Sequence, residues 1–114
     1  MSADKSARIA ELNDQLRSSL SPKYGRVVGT SGVLNTGDDF WRQCLDAVRT
    51  FSEFTDANDP YHEHDFGRVF VEGTKVFWKI DYYERGTDFA QGAEDPSDPK
   101  TTDRVMTIML AEEY

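Results

Sequence analysis

One cysteine, two histidines and four prolines occur in 114 residues, and each scarcity narrows what the chain can do. A lone Cys44 can form no intrachain disulfide and cannot build a multi-cysteine zinc centre. Long apolar runs are missing as well: none approaches the roughly 18–20 residues that span a bilayer. The stretch from Met1 to Leu20 mixes charges of both signs and does not read as a signal peptide. Positive charge is short: 13 Lys and Arg face 21 Asp and Glu, a net charge of −8. With no basic excess to release counterions, binding of nucleic acid through its phosphates is not expected. The expected class is a soluble, acidic, cytoplasmic protein forming a single domain over residues 1–114, since two halves would each bury too little core.

What the chain does have is aromatic residues: 2 Trp, 5 Tyr and 7 Phe, too many for a disordered acidic chain. From about Ser2 to Leu20, the residues Ile9, Leu12, Leu16 and Leu20 recur at helical spacing, and Ser21-Pro22 ends the helix. Gly25 to Thr30 reads as a short strand, with Ser31-Gly32 as a turn, bulge or continuation. A second helix is expected from a capping box at Thr36-Gly37-Asp38-Asp39 to about Phe54, with Phe40, Trp41, Cys44, Leu45, Val48 and Phe51 as its apolar stripe. Asp56 to Pro60 is turn chemistry.

Phe66–Val71 and Val76–Tyr83 are aromatic and β-branched runs around Glu72-Gly73-Thr74-Lys75, which predicts a hairpin. In the second run Val76, Trp78, Ile80 and Tyr82 share one face, leaving Phe77, Lys79, Asp81 and Tyr83 on a wetter one. Gly86 to Asp103 is a long acidic loop, with five acidic residues and one basic. Val105 to Leu110 is apolar on both faces, as befits a central or covered strand. The order helix, strand, helix, hairpin, strand predicts an α+β fold: a two-layer sandwich with two helices on one face of a mainly antiparallel sheet of about four strands.

Three stretches taken together carry a resemblance: Asn58-Asp59-Pro60-Tyr61-His62-Glu63-His64-Asp65-Phe66-Gly67, then Val76 to Tyr83, then Arg104 to Tyr114. The chain resembles a family of short bacterial proteins known only as domain of unknown function 3768. The resemblance implies an accessory or mobile-DNA context and brings no activity, cofactor or substrate with it.

Both histidines fall in Tyr61-His62-Glu63-His64-Asp65. In an extended segment His62 and His64 point the same way, and with Asp65 or Asp81 they offer donors for a divalent metal and hydrolase chemistry. The plainer expectation is that His64 and Asp65 form a hydrogen-bonded strand entry with His62 exposed. Acid–base work by His64 with Asp65, Asp81 or Glu84 competes with a simple polar ladder of Lys79 and Asp81. Cys44 sits within the helical stripe and is expected to be inert. The serines show no nucleophile elbow, and Gly29-Thr30-Ser31-Gly32 lacks the lysine of a phosphate loop. No catalytic residue and no cofactor are therefore assigned.

Charge patterning is the remaining signal. Residues 36–65 hold eight acidic and two basic residues, whereas Phe66–Arg85 is nearly neutral. The favoured expectation is a small non-enzymatic interaction module that meets a protein partner through the acidic loop and the wetter hairpin face, with His64, Asp65, Lys79, Asp81, Tyr83 and Phe89 as binding residues. The alternatives are a metal-binding protein or metal-dependent hydrolase using His62, His64 and Asp65 or Asp81, and an acidic anti-defence protein imitating DNA.

Overall fold

The computed structural model describes residues 3–114, with side chains from residue 5 onward. Its elements are α1 (Ala3–Ser19), β1 (Arg26–Gly29), α2 (Ser31–Thr36), α3 (Asp38–Arg49), β2 (Phe66–Val71), β3 (Thr74–Glu84) and β4 (Thr102–Leu110), followed by a 3-10 turn at Ala111–Glu113. The four strands form one sheet in the order β1-β4-β3-β2, with β1 parallel to β4 and the other pairs antiparallel. The helices pack against the sheet, so the fold is the expected α+β arrangement, with one helix more than expected. The predicted helix start at Ser2 lies outside the described residues.

The extra helix exists because Gly37 separates two segments. Its φ of 127° and ψ of 167° suit glycine and few other residues, and they end α2 just before α3 begins. The capping box expected at Thr36 does not form, because the Thr36 hydroxyl turns back to the Gly32 carbonyl at 2.9 Å and Gly37 takes the capping position. Asp38 and Asp39 still occupy the first turn of α3, where the helix dipole favours negative charge. α3 stops at Arg49 rather than near Phe54. The Val48 and Phe51 carbonyls at its end are capped from outside by the Arg17 guanidinium, at 2.9 and 2.6 Å. Arg17 also gives α1 its hold on α3.

The hairpin turn is tighter than the sequence suggested. Val71 pairs with Thr74, leaving Glu72 and Gly73 as a two-residue turn with φ of 52° and 77°. Positive φ at both positions is what a right-twisted hairpin requires. Period two then divides β3 as expected: Val76, Trp78 and Ile80 are buried, and Phe77, Lys79, Asp81 and Tyr83 take the opposite face.

Trp78 sits at the centre of the core with Leu16, Val33, Phe40, Cys44, Val48, Ile80, Met106 and Ile108. It is admitted by Gly67 on β2, where a Cβ would stand 2.3 Å from the indole nitrogen. Burial, together with the nearby Glu72 carboxylate, pushes the Cys44 thiol up to about 11, consistent with the inert role expected of it. β4 lies between β1 and β3, the central position its two-sided apolar pattern predicts.

Residues between β3 and β4 are pinned rather than free. The Glu84 amide donates to the Gln91 carbonyl at 2.7 Å, the Ala93 amide donates to Tyr82 at 3.1 Å, and the Thr102 hydroxyl donates to Asp95 at 2.9 Å. The segment thereby extends the end of the sheet beyond the reach of β2.

Candidate functional site

Two regions bring the sequence-predicted residues together, one on each side of the sheet. The first lies where the Asp59–Asp65 turn meets α1. Asp59 is almost fully buried, and its Oδ1 accepts the amides of Glu63 and His64 at 3.0 and 3.1 Å. The His62 amide donates to the Asp59 carbonyl at 3.0 Å. Wrapped around this carboxylate, His62 and His64 both adopt left-handed backbone conformations, with φ of 58° and 57°. The extended geometry that would have aimed both imidazoles the same way is therefore absent. His62 is 69% exposed and faces Asp56 at 3.9 Å.

His64 turns inward instead. Its ring stacks on Phe54, with centroids 3.8 Å apart and planes 3° from parallel. Nδ1 lies 3.0 Å from Asp14 Oδ2, and Nε2 lies 3.7 Å from Asp59 Oδ2. The carboxylates that address His64 are thus Asp14 and Asp59, not Asp65, Asp81 or Glu84. Glu84 receives the Glu94 amide at 3.1 Å, and Asp81 lies on the opposite face of the sheet.

Beneath α1 the contact continues as a polar network. Asn13 Nδ2 donates to the Glu63 carbonyl at 3.0 Å and to the Tyr82 hydroxyl at 2.8 Å, and its Oδ1 accepts Arg104 Nε at 3.0 Å. The Tyr82 hydroxyl donates to Glu63 Oε1 at 3.0 Å. Burial raises the Tyr82 phenol far above its ordinary value, so it stays a hydroxyl donor. Burial also raises the Asp65 carboxyl, with the Glu63 charge as the next contributor. Arg17 binds Asp14 at 2.8 Å, and its guanidinium lies 5.3 Å from the ring centroids of both Phe54 and Trp78. Outside this network, an open groove of about 1030 Å³ runs along α1, lined by Ala10, Glu11, Asp14, Arg17, His62 and His64 among others.

The structure does not bring His62, His64, Asp65 and Asp81 together. Among the described residues no group of three His, Cys, Asp or Glu is placed to hold a metal ion.

The second region is the face of the sheet that carries no helix. Register places Arg26 and Val28 of β1, Phe66, Arg68 and Phe70 of β2, Lys75, Phe77, Lys79, Asp81 and Tyr83 of β3, and Asp103, Val105, Thr107 and Met109 of β4 on it. Lys79 and Asp81 pair along one strand at 2.8 Å rather than across strands, and that hydrogen bond raises the lysine's proton affinity. Phe66, Phe77 and Tyr114 form a triangle of rings with centroids 5.3–5.6 Å apart. Tyr83 meets Phe89 edge-on at 5.7 Å. Phe70 is 61% exposed and Tyr114 is 74% exposed. Of the six residues singled out from the sequence, Lys79, Asp81, Tyr83 and Phe89 gather here, while His64 and Asp65 belong to the helix side.

Asn13, Asp14, Arg17, Asp59, Tyr82 and Arg104 were not singled out as site residues by sequence reasoning. Asn13 and Arg17 carried a signal: they fall at i+4 from Ile9 and Asn13, inside the apolar stripe of α1, where a polar residue must find a partner. Asp59 carried none beyond its turn context.

No helix of the described residues is long and apolar enough to cross a membrane. No curated protein and no solved structure matches the chain. A family model described as "Protein of unknown function (DUF3768)" matches residues 29–113, from the end of β1 to the last turn, leaving α1 outside the matched span. With most of its length covered by that match and the whole of β2, β3 and β4 inside it, the chain belongs to the DUF3768 family.

Proposed function

We propose that the chain is a non-enzymatic interaction module that receives an acidic polypeptide on the helix-free face of its sheet. The observation that carries this reading is the charge of that face. Within a chain of net charge −8, the strand residues of this face include Arg26, Arg68, Lys75 and Lys79 against Asp81 and Asp103, a local net of +2, with Glu113 bringing one further carboxylate beside Lys79 and Asp81. Basic side chains are thus concentrated beside the exposed rings of Phe70 and Tyr114. Aromatic anchors flanked by positive charge suit a partner that brings acidic and apolar side chains together. The acidic loop contributes Phe89 to this face and otherwise braces the sheet, so recognition rests on the face more than on the loop's carboxylates.

The test is capture from cells that naturally make the chain, with wild type beside Phe70→Ser, Lys79→Glu and the helix-side surface variant Arg42→Glu. Lys79 and Arg42 are both solvent-exposed in part, so each change is expected to stay within about 1 kcal/mol of wild-type stability. The expected result is an acidic protein retained by wild type and Arg42→Glu and lost by the two face variants. A partner that survives both face changes, or no partner at low and moderate salt, overturns the reading.

A further inference from the structure

At the end of the sheet, where β1 begins and β3 hands over to the acidic loop, a cleft of about 190 Å³ is lined by Lys23, Tyr24, Arg26, Arg85, Phe89 and Arg104 among other residues, with Asp103 as its one carboxylate. This is an unexpected place to find positive charge. The chain has 21 carboxylates for 13 cations, enough for every cation to be paired. Yet Lys23 and Arg26 have aromatic rings as their partners, at 5.5 Å from the Tyr24 centroid and 5.0 Å from the Phe89 centroid. The one ion pair at the cleft, Arg85 Nε to Asp103 Oδ1 at 3.1 Å, leaves the other cations uncompensated.

Arg104 is the more telling case. It is 3% exposed, and its guanidinium is held by the Asn13 amide oxygen, the Pro96 carbonyl and the face of the Tyr82 ring, with its centroid 5.3 Å away. Among the described residues no carboxylate makes an ion pair with it; Glu63, the nearest acidic influence, spends its oxygen on the Tyr82 hydroxyl. Arg104 is among the residues lining the cleft, so its buried charge adds to the positive potential there.

We infer that this cleft is a binding site for a small oxyanion, of which a phosphate monoester is the type, with Arg26, Arg85 and Lys23 supplying donors and Arg104 the buried positive potential. Planar guanidinium groups match tetrahedral and carboxylate oxygens with two parallel hydrogen bonds. Tyr24 and Phe89 at the rim suit an organic group attached to the anion. The cleft shares Arg26, Asp103 and Phe89 with the edge of the proposed partner-binding face, but anion binding by the isolated chain is tested without any partner and stands or falls independently of that reading.

The experiment is titration of the full chain with inorganic phosphate, phenyl phosphate and a short phosphoserine peptide. Binding is read by calorimetry and by chemical-shift changes of the arginine Nε–H groups at constant ionic strength. Saturable binding is expected, weakened roughly tenfold or more in Arg26→Gln/Arg85→Gln, since each charge-assisted contact carries about that factor. Asp103→Asn is expected to tighten binding, because it removes the only carboxylate and frees Arg85. Preference for phenyl phosphate over the peptide marks a small-molecule source of the anion, and the reverse preference marks a modified side chain. Two results overturn the inference: a response linear in anion concentration with every ligand, which is the general salting effect on stability, or saturable binding unchanged in the double variant. Both substituted arginines are largely solvent-facing, and a thermal melt of the double variant near wild type keeps loss of binding distinct from loss of fold.

Discussion

The two faces of the sheet are made from alternate residues of the same strands, and they have little else in common. On the helix side Trp78, Ile80, Met106 and Ile108 are sealed under three helices, and even the polar groups there, Asn13, Arg17 and Arg104, are almost completely buried. One residue further along each strand, Phe77, Lys79, Asp81 and Tyr83 meet solvent, and rings cluster with one another instead of with a second layer. A single β-strand can thus seal one set of side chains in the core and leave the other to solvent, because a period of two keeps the two sets on opposite sides of one backbone. Substitutions should separate accordingly.

The sharpest separation comes at Trp78. Removing its side chain in Trp78→Ala leaves a cavity under α1 and α3 at the cost of about 3–5 kcal/mol, a large share of the roughly 5–15 kcal/mol available to a domain of this kind. Urea denaturation followed by circular dichroism measures it, and a loss under about 1 kcal/mol would abolish the contrast between the faces.

Arg17→Met probes the polar part of the helix side. It strips donors from the Val48 and Phe51 carbonyls and the partner from Asp14, so a loss of about 2–4 kcal/mol is expected from the same experiment. A neutral or stabilising outcome would mean that the methionine side chain fills the gap as well as the guanidinium does, and that Ile9, Leu12, Leu16 and the Asn13 network suffice to hold α1.

The smallest effect is pH-dependent. Burial first, and the Glu63 charge second, raise the Asp65 carboxyl from its ordinary 3.8 in the folded chain. The folded state therefore holds this proton more readily than the unfolded state, and the group's contribution to stability improves as pH falls toward that value. Asp65→Asn should be more stable than wild type at about pH 7, with the gap narrowing at acid pH and closing only below the ordinary 3.8. A variant less stable at both pH values would show that the carboxylate makes a contact the fold needs.

How much of this was legible in the sequence follows from which signals are local. The alternation in β3 and the centrality of β4 were readable because burial on one or both faces writes itself directly into residue order. The hairpin was readable for the same reason, although its turn proved two residues long. The short helix α2 was missed because its six residues bury only Val33, too little for a periodic apolar stripe to show. The exposure of His62 and the hydrogen-bonded place of His64 were legible, but the curl of the segment and the partners of His64 were not, because the Asp59 carboxylate, which gathers two amides, gives no periodic sign of itself. Arg104 and Asn13 lie 91 positions apart and meet only after α1 has docked, so nothing in either neighbourhood announces the contact. Four of the six residues singled out for binding reached one surface, because they were chosen by strand parity or by the loop that abuts those strands. The other two depended on the conformation of the turn.

The strand that forms last in the chain order stands in the middle of the sheet. Until β4 is in place, β1 has no neighbour at all, and it waits some 80 residues for the segment that pairs Arg26 with Val105. A nascent chain can close the β2–β3 hairpin early, but it cannot shield Trp78 or complete the layer under α1 until residues 102–110 have emerged. Such long-range closure is slow and keeps apolar surface uncovered meanwhile. The topology thus makes synthesis itself a vulnerable period: a ribosome that stalls within the acidic loop leaves behind three helices, an unpaired β1 and a hairpin with no strand to join them.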